Sequence, residues 1–449
     1  MVKSGRANTV RPFRGLRYNP QRIPDPSAII TPPYDVISPS ERRAYHDKSP
    51  YSFIRLEFGE ELPGDSEDAN KYTRAAVTLS DWLRDGVLIR EGKPALYILE
   101  QRFRYRDQRH IRQDLIAAVR LEDFESGRVR PHEQTTRKPA EDRLNLLRAC
   151  GANLSPIMGL VSTGGRLVDL LQRSAQGNPD MIAKDALGVE LLLWVVSDDS
   201  VIEGIAGLLA DKPVYIADGH HRYEMALRYK TEQCAATPGC TGEEPFNFVM
   251  MSLTDSNDPG IVMSPTHRLV KGVDLQPLAN LTAKIQPYFD TSEEIPGHDD
   301  PTHTADLWLR TLEVRRAGGV VLGLYAGKSE GLRLLKLQPD ADLHDLMDED
   351  ELSLWRDSDV ILLQRAILEK GLGMDSPDKL DAHISYTRDA EQAIECVDSG
   401  ECQLAFLLNP APVSSLIEAA DAGKRLPQKS TYFFPKTPAG LVINPLWED

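Results

Sequence analysis

PVYIADGHHRYEMALRYK, residues 213–230, holds a strand, a turn and the start of a helix. Val214 to Ala217 are β-branched, aromatic or small and carry no charge, the pattern of a short buried strand. Asp218-Gly219 breaks that run. From His220 onward the apolar residues Tyr223, Met225, Ala226, Leu227 and Tyr229 return at helical spacing, so His220-His221 stand where the helix begins. At such a junction the backbone N–H groups and the positive end of the helix dipole face one spot, which suits an anion such as phosphate. Taken singly, these residues are ordinary: Asp-Gly is a common turn and cap pair, and Arg222 and Glu224 suit a solvated helix face. Two adjacent histidines beside an acid and a cation exceed what a cap requires, so Asp218-Gly219-His220-His221-Arg222 is read as a functional cluster.

Outward from this stretch, the chain alternates elements without a clean βαβ repeat, which predicts an α+β fold. The first twenty residues read as an extended arm. Thr31-Pro32-Pro33-Tyr34-Asp35 is not helical, because each proline restricts the residue before it. Ser38 with Glu41 forms a capping-box pattern ahead of a helix at Pro39. Tyr51 to Phe58 alternates like a strand, and Ala69 to Asp85 is an amphipathic helix ended by Asp85-Gly86. Ala95–Tyr105 and Asp114–Leu121 read as neighbouring antiparallel strands. Then HEQTTRKPAEDRLNLLRA places His132-Glu133 in a loop before a helix, and Ser155–Val161 is the next strand. His132-Glu133 is not a zincin HExxH, since position 136 is Thr.

Residues 162–212 look inserted, with helices at Leu167–Arg173 and Ser200–Ala210 and a strand at Glu190–Val196. Phe246–Leu253 is a strongly apolar strand, with Ile261–Met263 expected to return along it. His267-Arg268 in SPTHRLV is a second imidazole–guanidinium pair. Further on, a helix is expected at Leu275–Tyr288, strands at Gly319–Ala326 and Gly331–Gln338, a helix at Ser358–Leu372, and strands at Ile384–Tyr386 and Gln403–Leu408. Near the end, GKRLPQKSTYFFPK gathers Lys424, Arg425, Lys429, Ser430 and Lys436 into a basic island able to bind phosphate. The expected division is an N-terminal α/β unit at 1–127, a core at 128–270 carrying the insertion, and a C-terminal α+β unit at 271–449.

Composition excludes several classes. At 449 residues the chain is long for one core. Lys and Arg total 52 against 68 Asp and Glu, a net charge of −16, which opposes a general nucleic-acid surface. No run of about 18–20 apolar residues suits a membrane span, and the N-terminal residues lack a signal-peptide core. Five cysteines without a CxxC read most simply as reduced thiols in a cytoplasmic protein, although Cys234 and Cys240 straddle a turn and could pair. Neither a Walker A loop nor GxGxxG is present.

With these residues in view, the chain resembles the family named domain of unknown function 1015. The likeness runs through RPFRGLRY, TPPYDVIS, HEQT…DRLNLLRA…NLSPI, YIADGHHRYEMAL, SPTHRLV and LPQKSTYFFPK. The shorter pattern HE…R…L…DGHHR is similar to that of the ParB/sulfiredoxin superfamily, whose members include nucleotide-binding partition proteins, sulfiredoxins and free-serine kinases. That resemblance implies a ParB/sulfiredoxin-like core. In its serine kinases a Glu of the first motif and the Asp of DGHHR are catalytic, which implies Glu133 and Asp218 here, with His220 beside them. Gly219, His221, Arg222, His132, Thr135 and Arg143 complete a phosphate-binding set, with His267, Arg268, Lys429 and Ser430 as further candidates. Phosphoryl transfer needs cations on the phosphates, a carboxylate for Mg²⁺ and a base on the acceptor. The implied ligands are thus ATP, ADP or CTP, Mg²⁺ on Asp218 and His220, and a small hydroxylated acceptor such as serine. Sulfiredoxin chemistry is set aside because His220 stands where it needs cysteine. A DNA clamp is opposed by the charge. A nucleotide sensor without turnover and a metal-dependent hydrolase using His220 and Glu224 remain as alternatives. Oligomeric state is not legible.

Overall fold

The computed structural model describes residues 9–133, 137–273, 280–328 and 331–448, with the backbone alone for 137–140. It is an α+β fold, as expected. Where the sequence suggests three parts, the internal contacts fall into two compact units. One is Met1–Pro131, Thr135–Val262 and Phe433–Asp449; the other is His132–Gln134 and Met263–Tyr432.

The first unit opens with β1 (Val10–Arg11), β2 (Leu16–Tyr18), α1 (Pro39–Lys48), α2 (Ile54–Glu57), α3 (Lys71–Arg84) and β3 (Leu88–Arg90). It continues with β4 (Leu96–Tyr105), β5 (Gln108–Arg120), β6 (Val129–Arg130), α4 (Arg137–Cys150), β7 (Ala152–Asn153) and β8 (Ile157–Val161). Helix α5 (Arg166–Ser174), β9 (Met181–Lys184), β10 (Glu190–Val196) and α6 (Asp199–Leu209) lead to β11 (Val214–Asp218), α7 (His220–Ala236) and β12 (Phe248–Asp255). A mixed sheet runs β6-β11-β8-β12-β5-β4-β10-β9, with β1 on β5.

Every residue of β12 is buried, because both faces of the sheet are covered. The two-residue period divides them. Val249, Met251 and Leu253 join the cluster with Leu167 and Leu171 of α5, Ile205 of α6 and Tyr223 of α7. Phe248 and Met250 face the cluster with Leu79 and Trp82 of α3. Strand β11 joins the same packing through Ile216, which is fully buried.

Strand β11 lies second from one edge, antiparallel to β8 with Val214 opposite Val161 and parallel to the short β6. Several expectations change. The N-terminal strands β4 and β5 occupy the sheet interior, and β9 and β10 from residues 162–212 extend the same sheet beyond β4. Residues 9–20 are no free arm, since Val10 pairs with Val119 and Val10, Phe13, Leu16 and Tyr18 are buried. Tyr51–Phe58 is not a strand. Phe53, Ile54, Leu56 and Glu57 are all buried, so Ile54–Glu57 coils into one turn rather than alternating between faces. Strand β12 has β8 and β5 as neighbours, so Ile261–Met263 does not return along it. The capping box at Ser38 and Glu41 forms as read.

The second unit is built on a six-stranded sheet whose pairs are all antiparallel. Its order is Phe289–Ile295, Leu332–Leu337, Val321–Tyr325, Leu404–Leu407, His267–Val270 and Ile384–Thr387. Trp308 and Ile394 pack on one face, Ile361 and Ile367 on the other. Of the helix expected at Leu275–Tyr288, Leu281–Ile285 is helical, and 274–279 lie outside the described residues.

Reduced thiols are also corrected. Cys234 and Cys240 form a disulfide, as do Cys396 and Cys402, with Cα atoms 5.5 and 5.3 Å apart, while Cys150 is buried and free. In each pair a turn of five residues brings the cysteines within the reach of a disulfide. Among the described residues no helix is long and apolar enough to cross a membrane.

The buried position of β11 predicts that Ile216→Ala destabilises the protein by about 2–5 kcal/mol, from lost transfer energy plus a cavity. Urea unfolding measures this, and a loss under about 1 kcal/mol would place Ile216 outside a packed core.

Candidate functional site

Strand β11 ends in a register shift between Ile216 and Asp218, which turns the last residue out of the regular ladder. Gly219 follows at φ +95°, in the left-handed region. Space at this glycine is as restricted as its backbone. A Cβ there would lie 2.9 Å from Nε and Nη2 of Arg222, because the guanidinium folds back over the turn. Helix α7 then starts at His220 and runs for 17 residues, with no side-chain cap from Gly219. His220 is buried and His221 half-buried. The junction read from the sequence is therefore present, with its positive helix end beside Asp218 and Arg222.

Both oxygens of Asp218 carry cations. Lys436 Nζ lies 2.7 Å from Oδ1, and Arg222 Nη2 lies 2.7 Å from Oδ2. Lys436 also pairs with Asp35, on the short turn Tyr34–Val36. Arg222 Nη1 donates to Pro156 O at 2.6 Å and Ser155 Oγ at 3.1 Å. The Ser155 hydroxyl donates in turn to Glu57 Oε1 at 2.8 Å. Arg143 closes this chain: Nη1 reaches Glu57 Oε1 at 3.6 Å and donates to the Glu57 carbonyl at 2.9 Å, Nε donates to Asp142 at 2.9 Å, and the guanidinium lies over the Tyr34 ring. A cavity of about 50 Å³ adjoins these groups, lined by Glu57, Arg143, Ser155, Arg222, Met225 and Val249.

Burial and charge compete along this chain. Burial pushes the Asp218 carboxyl up, but Lys436 and Arg222 outweigh it and hold the group well below the usual range. Burial pulls Lys436 down, and Asp218 with Asp35 more than restores it. Glu57 goes the other way: burial raises it, and Arg143 and Arg222 offset only part of the rise. Burial also raises Asp142, but Arg143 and Lys71 bring it down to about 2.

The remaining candidates belong to the second unit. His132 is fully buried, its Nε2 lies 2.8 Å from Thr431 Oγ1, and its carbonyl accepts from Leu426 N. Glu133 bridges to Leu426 in parallel and accepts from Thr431 Oγ1 at 3.4 Å. His267 Nδ1 accepts from Leu408 N at 3.2 Å. Burial pushes Arg268 down to about 10; its guanidinium donates to Thr266 O and faces the Tyr386 ring. Lys429 is exposed, and the Ser430 hydroxyl donates to Pro427 O at 2.5 Å. The basic island is thus divided, with Lys424 and Lys429 in the second unit and Lys436 in the first. Thr135 lies outside the described residues.

The first unit therefore gathers Asp218, Gly219, His220, His221 and Arg222, and links Arg143 to them through Ser155 and Glu57. Sequence reading missed Asp35, Glu57 and Ser155 as members, and took Lys436 for part of a surface island. The available signal was motif context: Asp35 and Lys436 each lie beside prolines in stretches too irregular to be helix or regular strand. The Mg²⁺ site expected on Asp218 and His220 does not fit the arrangement, since both Asp218 oxygens are already held by protein cations. No group of three or more His, Cys, Asp or Glu side chains suited to a metal ion occurs among the described residues.

A family profile described as "Protein of unknown function (DUF1015)" matches residues 10–360, and the chain belongs to that family. None of the curated proteins matches it. Among solved structures, it is similar to a conserved hypothetical protein from Pyrococcus furiosus at 13% identity and TM-score 0.34, covering 73% of this chain and 93% of that one. A free serine kinase in complex with AMP matches at 13% identity and TM-score 0.34, covering 71% of this chain and 86% of the kinase. SbnI from Staphylococcus aureus, truncated at its C-terminus, matches at 12% identity and TM-score 0.35, covering 74% and 87%. Likeness at this distance transfers no residue roles.

The Asp218 ion pairs carry a pH signature. A carboxyl lowered in the folded state contributes stability that is complete above its unfolded pKa, about 4, and is lost as pH falls below it. Asp218→Asn is expected to reduce stability by about 3 kcal/mol at neutral pH, as for a broken buried pair. The difference from the parent should shrink as denaturant unfolding is repeated at pH values falling below about 4. A difference that stays constant with pH would mean that the carboxylate charge contributes nothing.

Proposed function

We propose that the chain binds a nucleoside di- or triphosphate at the Asp218–Arg222 turn and transfers a phosphoryl group to the hydroxyl of a small molecule. ATP, ADP or CTP is the donor class, and free serine is the leading acceptor. The observation that carries this reading is the Arg222 guanidinium folded over Gly219 at the start of α7. A helix N-terminus attracts phosphate through its dipole and N–H groups, and a guanidinium adds charge-assisted hydrogen bonds. Arg222 Nε is buried and has no hydrogen-bond partner among the described residues, so a donor remains for an anion.

Phosphoryl transfer is mostly positioning and neutralisation of charge. In this reading the α7 N-terminus, His221 and Arg222 take the phosphate charge, and Gly219, with no side chain, lets the guanidinium lie against the turn. Asp218 orients Arg222 by holding Nη2, so that the guanidinium keeps one orientation over the turn. A nucleotide sensor without turnover is the second reading, favoured by the same ion pairs, which neutralise Asp218 and suit binding alone.

Calorimetric titration with ADP, ATP and CTP tests the first step. Arg222→Ala should weaken binding by about tenfold or more, the worth of a charge-assisted hydrogen bond. Equal affinity in mutant and parent would move the phosphates elsewhere, with Lys429 the next residue to change. For the chemistry, transfer to serine is followed by phosphorus NMR. Transfer to serine or another hydroxyl acceptor would support the kinase, and nucleotide binding without transfer to any acceptor would favour the sensor.

A further inference from the structure

Lys436 holds an unusual position for a lysine in the last seventeen residues of the first unit. Its side chain is only 10% exposed, and its Nζ pairs with carboxylates from two remote segments, Asp35 and Asp218. Two carboxylates converging on one point, open to phosphate oxygens and water, are how proteins hold Mg²⁺ beside a nucleotide. Here the point where they converge is an ammonium group. Arg222 covers the other oxygen of Asp218, so two acids and two bases form a set without net charge. Lysine is also an effective phosphate binder as a compact point charge.

We infer that Lys436 is the built-in cation of the Asp35–Asp218 pair, standing where a divalent ion would otherwise sit, and that nucleotide binding at the α7 N-terminus needs no divalent cation. The ammonium keeps the two acids from repelling an incoming phosphate and cannot be exchanged with solvent. Its two partners fix it from opposite segments, so its place survives when ligand leaves. The second half of this inference rests on the nucleotide reading above; the first half does not.

Two measurements on the full chain test it. In the first, Mn²⁺ alone is titrated and followed by electron paramagnetic resonance. The wild type should show no Mn²⁺ site that Asp218→Asn removes. Lys436→Met should gain one Mn²⁺ site, as expected when a competing cation leaves a carboxylate pair. Adding Asp218→Asn to Lys436→Met should abolish the new site. Mn²⁺ bound by the wild type through Asp218, or no gain in a folded Lys436→Met, overturns the inference. Should Lys436→Met fail to fold, Lys436→Gln, which also removes the ammonium, takes its place with the same expected gain of a Mn²⁺ site. In the second measurement, ADP affinity of the wild type is compared in Mg²⁺ and in EDTA. A change smaller than about threefold is expected, and a strict need for Mg²⁺ overturns the inference. Absence of ADP binding in both buffers overturns the nucleotide reading, and the claim about Mg²⁺-independent binding with it, while the Mn²⁺ result still judges Lys436.

Discussion

A half-buried carboxylate at the end of a strand is costly unless its charge is matched, and Asp218 is matched twice. Lys436 takes one oxygen and Arg222 the other. Removing either cation would leave one carboxylate oxygen without its partner while the other cation still neutralises part of the charge. That matching explains why three segments far apart in the chain meet here. Asp35 comes from the proline-rich stretch near the N-terminus, Asp218 from the end of β11, and Lys436 from the C-terminal stretch. The ion pairs do not merely decorate the turn. They hold Arg222 over Gly219 and fix the one conformation in which the guanidinium sits beside the start of α7.

The sheet supplies the rigid support this arrangement needs. Strand β11 is hydrogen-bonded on both sides, and Ile216 and Val214 pack under α5, α6 and α7. A side chain at the end of such a strand has little freedom, so small polar groups can be positioned by the backbone alone. The same logic extends to the chain from Arg222 through Ser155 and Glu57 to Arg143. Ser155 and Glu57 link Arg222 to Arg143 in it, each group meeting the next. Glu57 contributes because Ile54–Glu57 folds as one buried turn instead of a strand, which sends the carboxylate inward.

Much of the local structure was legible in the sequence because short-range physics decides it. The capping box at Ser38, the amphipathic face of α3, the β4–β5 pair, and the strand–turn–helix at Val214–Lys230 all follow from periodicity and turn chemistry. Residues 51–58 misled because a run of large apolar residues fits a strand and a buried helical turn equally well, and only burial on every side separates them. Disulfides were likewise hidden: spacing allowed Cys234 to meet Cys240, but composition favoured thiols.

By itself, the sequence determined the α+β class, the family likeness and the strand–turn–helix at Val214–Arg222, since each depends on residues close together in the chain. Tertiary structure alone decided which charges meet. Lys436 lies beside Lys429 in a basic stretch and looks like its neighbour, yet Lys429 is exposed in the second unit while Lys436 is enclosed between two acids in the first. Likewise β4 and β5 read as a unit of their own, but hydrogen bonding to β12 and β10 builds them into the sheet that carries the site. Pairings across hundreds of residues depend on desolvation and register, which leave no periodic trace in the chain.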